Sequence, residues 1–68
     1  MASNVKKSAK YEIVRDLVYS PDDGGWYARE TDLDTSKSRV TKDIYPSKEA
    51  LEIMLRATFA KYRWEAWS

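Results

Sequence analysis

Asp22 and Asp23 stand side by side, and Glu30, Asp32 and Asp34 alternate a few residues further on. Carboxylates at such spacings are the groups here that could move a proton or hold a hard cation. They have little to work with. The 68-residue chain contains no histidine and no cysteine. It therefore lacks the side chain that titrates nearest neutral pH, a thiolate nucleophile, disulfides and nearly all structural zinc sites. Asp22 and Asp23 fall within Ser-Pro-Asp-Asp-Gly-Gly, residues 20–25, where a solvated turn is the ordinary place for Asp. The acids from Glu30 to Asp34 match no calcium-loop spacing. Gly24-Gly25 is followed by neither Gly-Lys-Ser/Thr nor a helix, so it is not a phosphate loop. The sequence points to a binding protein rather than an enzyme, with no catalytic residue, metal or cofactor.

Charge is unevenly spread. The net charge of +1 resolves into +3 over residues 1–10, −5 over 11–34, +3 over 35–48 and zero over 49–68. A dedicated nucleic-acid binder is usually more basic, although a local basic strip can suffice. No apolar run approaches a membrane span and no signal-peptide core follows the start, so a soluble cytoplasmic protein is expected. A chain this short buries only about 60% of the surface its unfolded form exposes. With disulfides and zinc excluded, a partner chain is the remaining common support.

Residues 1–10, Met-Ala-Ser-Asn-Val-Lys-Lys-Ser-Ala-Lys, are small, polar and basic and read as a flexible leader. Residues 11–68 read as one domain. The β-branched and aromatic stretch 11–19 predicts a strand, with Tyr11, Ile13, Leu17 and Tyr19 on one face and a bulge near the interrupting Arg15. The turn at 20–25 leads to a second strand over 26–31, forming a hairpin. A polar turn at 32–37 precedes a third strand over 38–45, whose Lys42 between Val40 and Ile44 suggests an edge position. Pro46 stops that strand, and Ser47 is a good N-cap. No Gly or Pro interrupts Lys48 to about Trp64, which predicts one long helix. Ala50, Leu51, Met54, Ala57 and Thr58 share the face toward the sheet, and Glu52 and Arg56 can pair one turn apart. The expected fold is α+β: a three-stranded antiparallel β-β-β meander with one long C-terminal helix packed on one face.

Two surfaces follow. Beyond Met54 the core-facing stripe of the helix turns polar at Lys61 and Glu65, while Phe59 and Tyr62 fall on one flank and Trp64 and Trp67 on the other. These four rings are the candidate partner-binding residues, for another protein or a homodimer. The competing reading is that they fold back over the sheet, with Trp64 sealing one side. The second surface is the sheet itself. If Ala28, Val40 and Ile44 face the helix, Arg29 and Arg39, with Thr31 and Thr41, stand on the open side. Such a face, helped by Lys42 and by Lys6 and Lys7 of the leader, could enter a DNA groove. Its competing reading is an ordinary polar outer face.

Residues 21–33, Pro-Asp-Asp-Gly-Gly-Trp-Tyr-Ala-Arg-Glu-Thr-Asp-Leu, resemble the turn and second strand of HicB-type antitoxins, and Ser-Lys-Glu-Ala-Leu-Glu at 47–52 resembles the opening of their helix. The Pro-Gly-Cys run of that family is absent here. This resemblance covers about half the chain and implies a partial RNase-H-like fold that grips a protein partner and self-associates. Gly25-Trp26, the turn from Asp34 to Lys37 and Tyr-Pro-Ser-Lys-Glu-Ala at 45–50 also resemble the arm-binding N-terminal domain of phage integrases. That family reads DNA through a three-stranded sheet, which would make Arg29, Arg39 and Lys42 the contacts. The favoured expectation is a small non-catalytic regulatory or inhibitory module that binds a protein and can self-associate through its aromatic C-terminal helix. A DNA-binding module using the open sheet face is the alternative. No small-molecule substrate is evident.

Overall fold

A computed structural model describes residues 12–68. The basic leader, Lys6 and Lys7, and Tyr11 of the first predicted strand lie outside the described residues. In chain order the elements are β1 (Ile13–Ser20), β2 (Gly25–Asp32), β3 (Lys37–Val40), α1 (Lys48–Arg56) and a 3-10 turn, Ala60–Arg63. The three strands form an antiparallel meander in the order β1-β2-β3, so the α+β fold is as expected. Among the described residues, no helix is long and apolar enough to cross a membrane.

The first hairpin closes over residues 21–24, where the Gly24 and Asp23 N–H groups both donate to the Ser20 carbonyl. The Ser20 hydroxyl donates to Asp23 Oδ2 at 2.9 Å, so Asp23 serves the turn. Gly24 takes φ +70°, which an L side chain adopts only with strain. Its neighbour is needed for a different reason. A Cβ on Gly25 would meet the Ile44 side chain and lie 2.7 Å from the Tyr45 carbonyl oxygen. That closeness lets Trp26 and Tyr45 exchange a pair of backbone hydrogen bonds at 2.8 Å.

β1 pairs with β2 without interruption from Ile13↔Asp32 to Ser20↔Gly25. The bulge expected at Arg15 is not there, because Arg15 lies directly opposite Glu30 and has a reason to point inward. The predicted third strand is shortened. Regular pairing ends at Val40, Thr41 bridges Trp64, and Tyr45 bridges Trp26. The Thr41 hydroxyl accepts the Ala28 N–H at 3.2 Å and donates to the Asp43 carbonyl at 3.3 Å, which holds the chain as it leaves the ladder.

The long C-terminal helix is corrected. α1 has nine residues, from an N-cap at Ser47, whose hydroxyl accepts the Ala50 N–H, to Arg56. Ala57 turns extended (φ −71°, ψ 150°), and after the 3-10 turn Trp64 is extended as well. The chain then runs beside β3: Lys42 N–H donates to the Arg63 carbonyl, Glu65 N–H to Val40 and Ser68 N–H to Ser38. Those ladder bonds and the burial of Trp64 outweigh a helical propensity of a few tenths of a kcal/mol per residue. The outer side of β3, expected to be an edge, is thereby occupied.

The buried core is Ala28, Leu51, Met54 and Trp64, with Leu17, Trp26, Tyr45, Leu55 and Ala60 packed around it. α1 meets the sheet through Leu51 and Met54 as predicted, and through Leu55, which the predicted stripe missed. Ala57 caps the helix and Thr58 lies beyond it, exposed. Glu52 and Arg56 are not among the ion pairs of the described residues.

Gly25→Ala is expected to cost about 2 kcal/mol, because its new methyl group meets backbone rather than a movable side-chain tip. Gly24→Ala, in open space but at positive φ, should cost about 1 kcal/mol. Urea unfolding of the two variants checks the order.

Candidate protein-contact surface

Register decides which side chains share a face. Arg15 lies opposite Glu30, and Glu30 opposite Arg39, so the three project from one side of the sheet. It is the side of Leu17 and Ala28, which pack into the core. Glu30 is only 5% exposed. Arg15 Nε and Nη2 donate to Glu30 Oε2 at 3.0 and 2.8 Å. Arg39 Nε and Nη2 donate to Oε1 at 2.9 and 2.7 Å. Each oxygen therefore accepts a full guanidinium fork, and the buried carboxylate is satisfied. The Arg39 guanidinium also lies between two indoles, 4.6 Å from the Trp64 ring centre and 4.5 Å from that of Trp67.

This arrangement corrects the sequence reading of the sheet. Arg39 and Thr41 are on the helix side. Arg29 and Thr31 are on the open side, together with Val40, which lies opposite Arg29. Arg29 remains exposed there and donates to the Tyr27 hydroxyl at 3.4 Å. Lys42 is exposed, in the segment where the chain leaves β3. The acid cluster also separates. Glu30 turns to the two arginines, while Asp32 Oδ1 accepts the Asp34 N–H at 2.9 Å in the second turn. Among the described residues, no group of three or more acids is gathered as a cation site would require.

The four candidate rings divide in two. Trp64, 7% exposed, is a core residue. Trp67 covers one face of Arg39 and is more open to solvent. Phe59 and Tyr62 are 48% and 67% exposed, each with a cation against its ring: Arg63 at 5.5 Å and Lys61 at 5.0 Å. Phe59 helps wall an open apolar groove of about 530 Å³, with Tyr45, Ala50, Ile53 and Met54. Asp43 and Arg63 complete its lining and face one another at 3.6 Å, a distance and exposure at which an ion pair contributes little. Burial raises the Tyr45 phenol above its ordinary pKa; the Asp43 charge adds to that, and Arg63 opposes it.

Ile53, 65% exposed, is a candidate contact residue that sequence reasoning missed. A signal was available: it is a large β-branched residue on a helix, outside the predicted core-facing stripe, with no buried role assigned. Glu30 was read only as an acid in a cluster. Its true partners are 15 and 9 residues away and become visible only through strand register.

No family model matches the chain, and neither a curated protein nor a solved structure matches it. The HicB-type and integrase-type resemblances therefore rest on the quoted residues alone.

Glu30→Gln would leave two guanidiniums facing an amide. It should cost about 2–3 kcal/mol, less than a fully buried pair because the arginines reach solvent. Arg15→Met, at the more exposed end, should cost about 1 kcal/mol. Urea midpoints of the two variants check the ranking, and equal losses would count against the central role of Glu30.

Proposed function

We propose that this chain is a non-catalytic binding module that regulates or inhibits another protein by occupying its surface. Its contact area is the groove walled by Ile53, Met54 and Phe59, with Tyr62 exposed nearby. One observation carries this reading. In a chain with a small buried core, Ile53, Phe59 and Tyr62 remain largely exposed, while smaller side chains such as Ala28 are fully covered. Exposed aromatic and aliphatic groups around a concave site are the usual anchors of a protein interface. The fitting partner offers an apolar or aromatic side chain to the groove and polar groups to Asp43 and Arg63. The antitoxin-like resemblance fits the same mode of action. Relative to the expectation from sequence, Trp64 leaves the contact set and Ile53 joins it.

Contact with DNA through the open sheet face is the second reading, supported by the exposure of Arg29 beside Thr31. It loses Arg39, whose guanidinium is held by Glu30 and two indoles.

Ile53→Asp and Phe59→Ala should each weaken partner capture at least tenfold, about 1.4 kcal/mol, with circular dichroism unchanged. Retention of full affinity by both variants would exclude the groove. For the second reading, titration with random duplex DNA at low salt should show binding that Arg29→Glu abolishes. Binding indifferent to that change would remove the sheet face from consideration.

A further inference from the structure

β1 leaves one long side of the sheet without a strand among the described residues. The opposite side is taken by the segment that follows the 3-10 turn. β1 is eight residues long, contains no Pro or Lys, and pairs without a bulge. Those are the devices that usually guard an edge. Charged side chains are another such device; Arg15 is already bound to Glu30, which leaves the exposed Asp16 as the uncommitted charge on the strand. The Glu12 carbonyl accepts the Leu33 N–H across the β1–β2 ladder. By the antiparallel alternation, the backbone groups of the even residues face β2, and those of Ile13, Arg15, Leu17 and Tyr19 point outward.

We propose that a second copy of this chain pairs antiparallel with β1 about a two-fold axis at Leu17, joining two sheets into one. This surface is separate from the groove assigned above. Register is selected by charge, because antiparallel partners lie on the same face and an axis must pass through a residue position. An axis at Arg15 sets two guanidiniums against each other, and one at Asp16 sets two carboxylates. An axis at Val18 keeps only the two Leu17–Tyr19 pairings within the strands, about four backbone bonds, because Arg15 then falls opposite Pro21 beyond the end of β1. At Leu17, apolar meets apolar, Arg15 faces Tyr19 of the second copy, and Asp16 faces Val18. About six backbone hydrogen bonds form.

The adjoining groove supplies a second, independent observation. Between β1 and α1 lies an open space of about 270 Å³, lined by Arg15, Leu17, Glu52, Leu55 and Arg56. Its apolar floor is Leu17 and Leu55, and both are only partly buried. The two-fold axis brings the grooves of both copies together and runs the helices antiparallel. Glu52 of one copy then approaches Arg56 of the other. These opposite charges are not paired with each other within one chain, and they are self-complementary across this axis.

Sedimentation equilibrium over a wide concentration range tests the proposal. The unmodified protein should dimerise. Arg56→Glu should weaken dimerisation about tenfold by opposing like charges, and the double swap Glu52→Arg with Arg56→Glu should restore it. Because the chain has no cysteine, Leu17→Cys introduces one thiol per chain. Directly paired strand positions about 5.5 Å apart lie within disulfide reach, so Leu17→Cys should cross-link on oxidation faster than Asp16→Cys or Val18→Cys. A monomer at every concentration would overturn the inference. So would a dimer indifferent to Arg56→Glu and lost in Phe59→Ala, which would place self-association on the groove. Faster cross-linking at Asp16 would refute the register.

Discussion

The carboxylate of Glu30, clamped between Arg15 and Arg39, is the interaction on which the sheet depends. It ties all three strands through one side chain of the middle strand. Leaving a charge there without partners would cost several kcal/mol, so the fold is committed to the register that supplies them. A one-residue slip of either flanking strand would move its arginine to the opposite face. The net stability of such a triad is small, since desolvation offsets most of the attraction. A slipped pairing would also leave Glu30 without one of its partners, so the triad disfavours wrong registers as well. Trp64 and Trp67 extend the same logic. They close over Arg39, so the C-terminal segment is held by the charge cluster as well as by its backbone bonds.

The shape of the rest follows from that closure. Once Trp64 is needed beside Thr41, α1 cannot continue, and the chain turns at Ala57 instead. Ending the helix at Arg56 places Phe59 beyond it, while Ile53 stands on the outer side of α1, and both are left exposed along the groove that the functional reading uses. The small core and the exposed apolar surface are thus linked. A domain of about this size rarely gains more than 3–5 kcal/mol from its core, and every large side chain left outside lowers that further.

Local signals in the sequence were accurate where the cause was local. The Pro-Asp-Asp-Gly-Gly turn, the Ser47 cap and the β-branched run of β1 each act over a few residues, and each element formed where its signal lies. The length of the helix was misjudged because its stop is tertiary: no Gly or Pro marks Ala57, and the decisive bonds come from β3. The face of Arg39 was misassigned for a related reason. The condition that Val40 faces the helix follows from its being apolar, whereas the core side belongs to Arg39, whose charge Glu30 neutralises. Hydrophobic pattern alone cannot register a buried ion triad, because it scores such residues as solvent-facing. Phe59 and Tyr62 are exposed, but not by the helical phase that suggested it, since α1 ends at Arg56; the burial of Trp64 was the competing reading of its position.

The bond from Ser68 to Ser38 spans 30 residues, whereas the β1–β2 hairpin joins neighbours. Hairpins of that kind form in about 1–10 μs, and closing the longer loop carries a larger entropic cost. Sequence separation alone therefore favours early formation of the first hairpin and late docking of the C-terminal segment. Its departure would uncover one face of Arg39, the indole of Trp64 and the outer side of β3 together. Among the described residues, such an opening would leave two unpaired sheet edges instead of one, the geometry from which strand exchange and open-ended assembly begin.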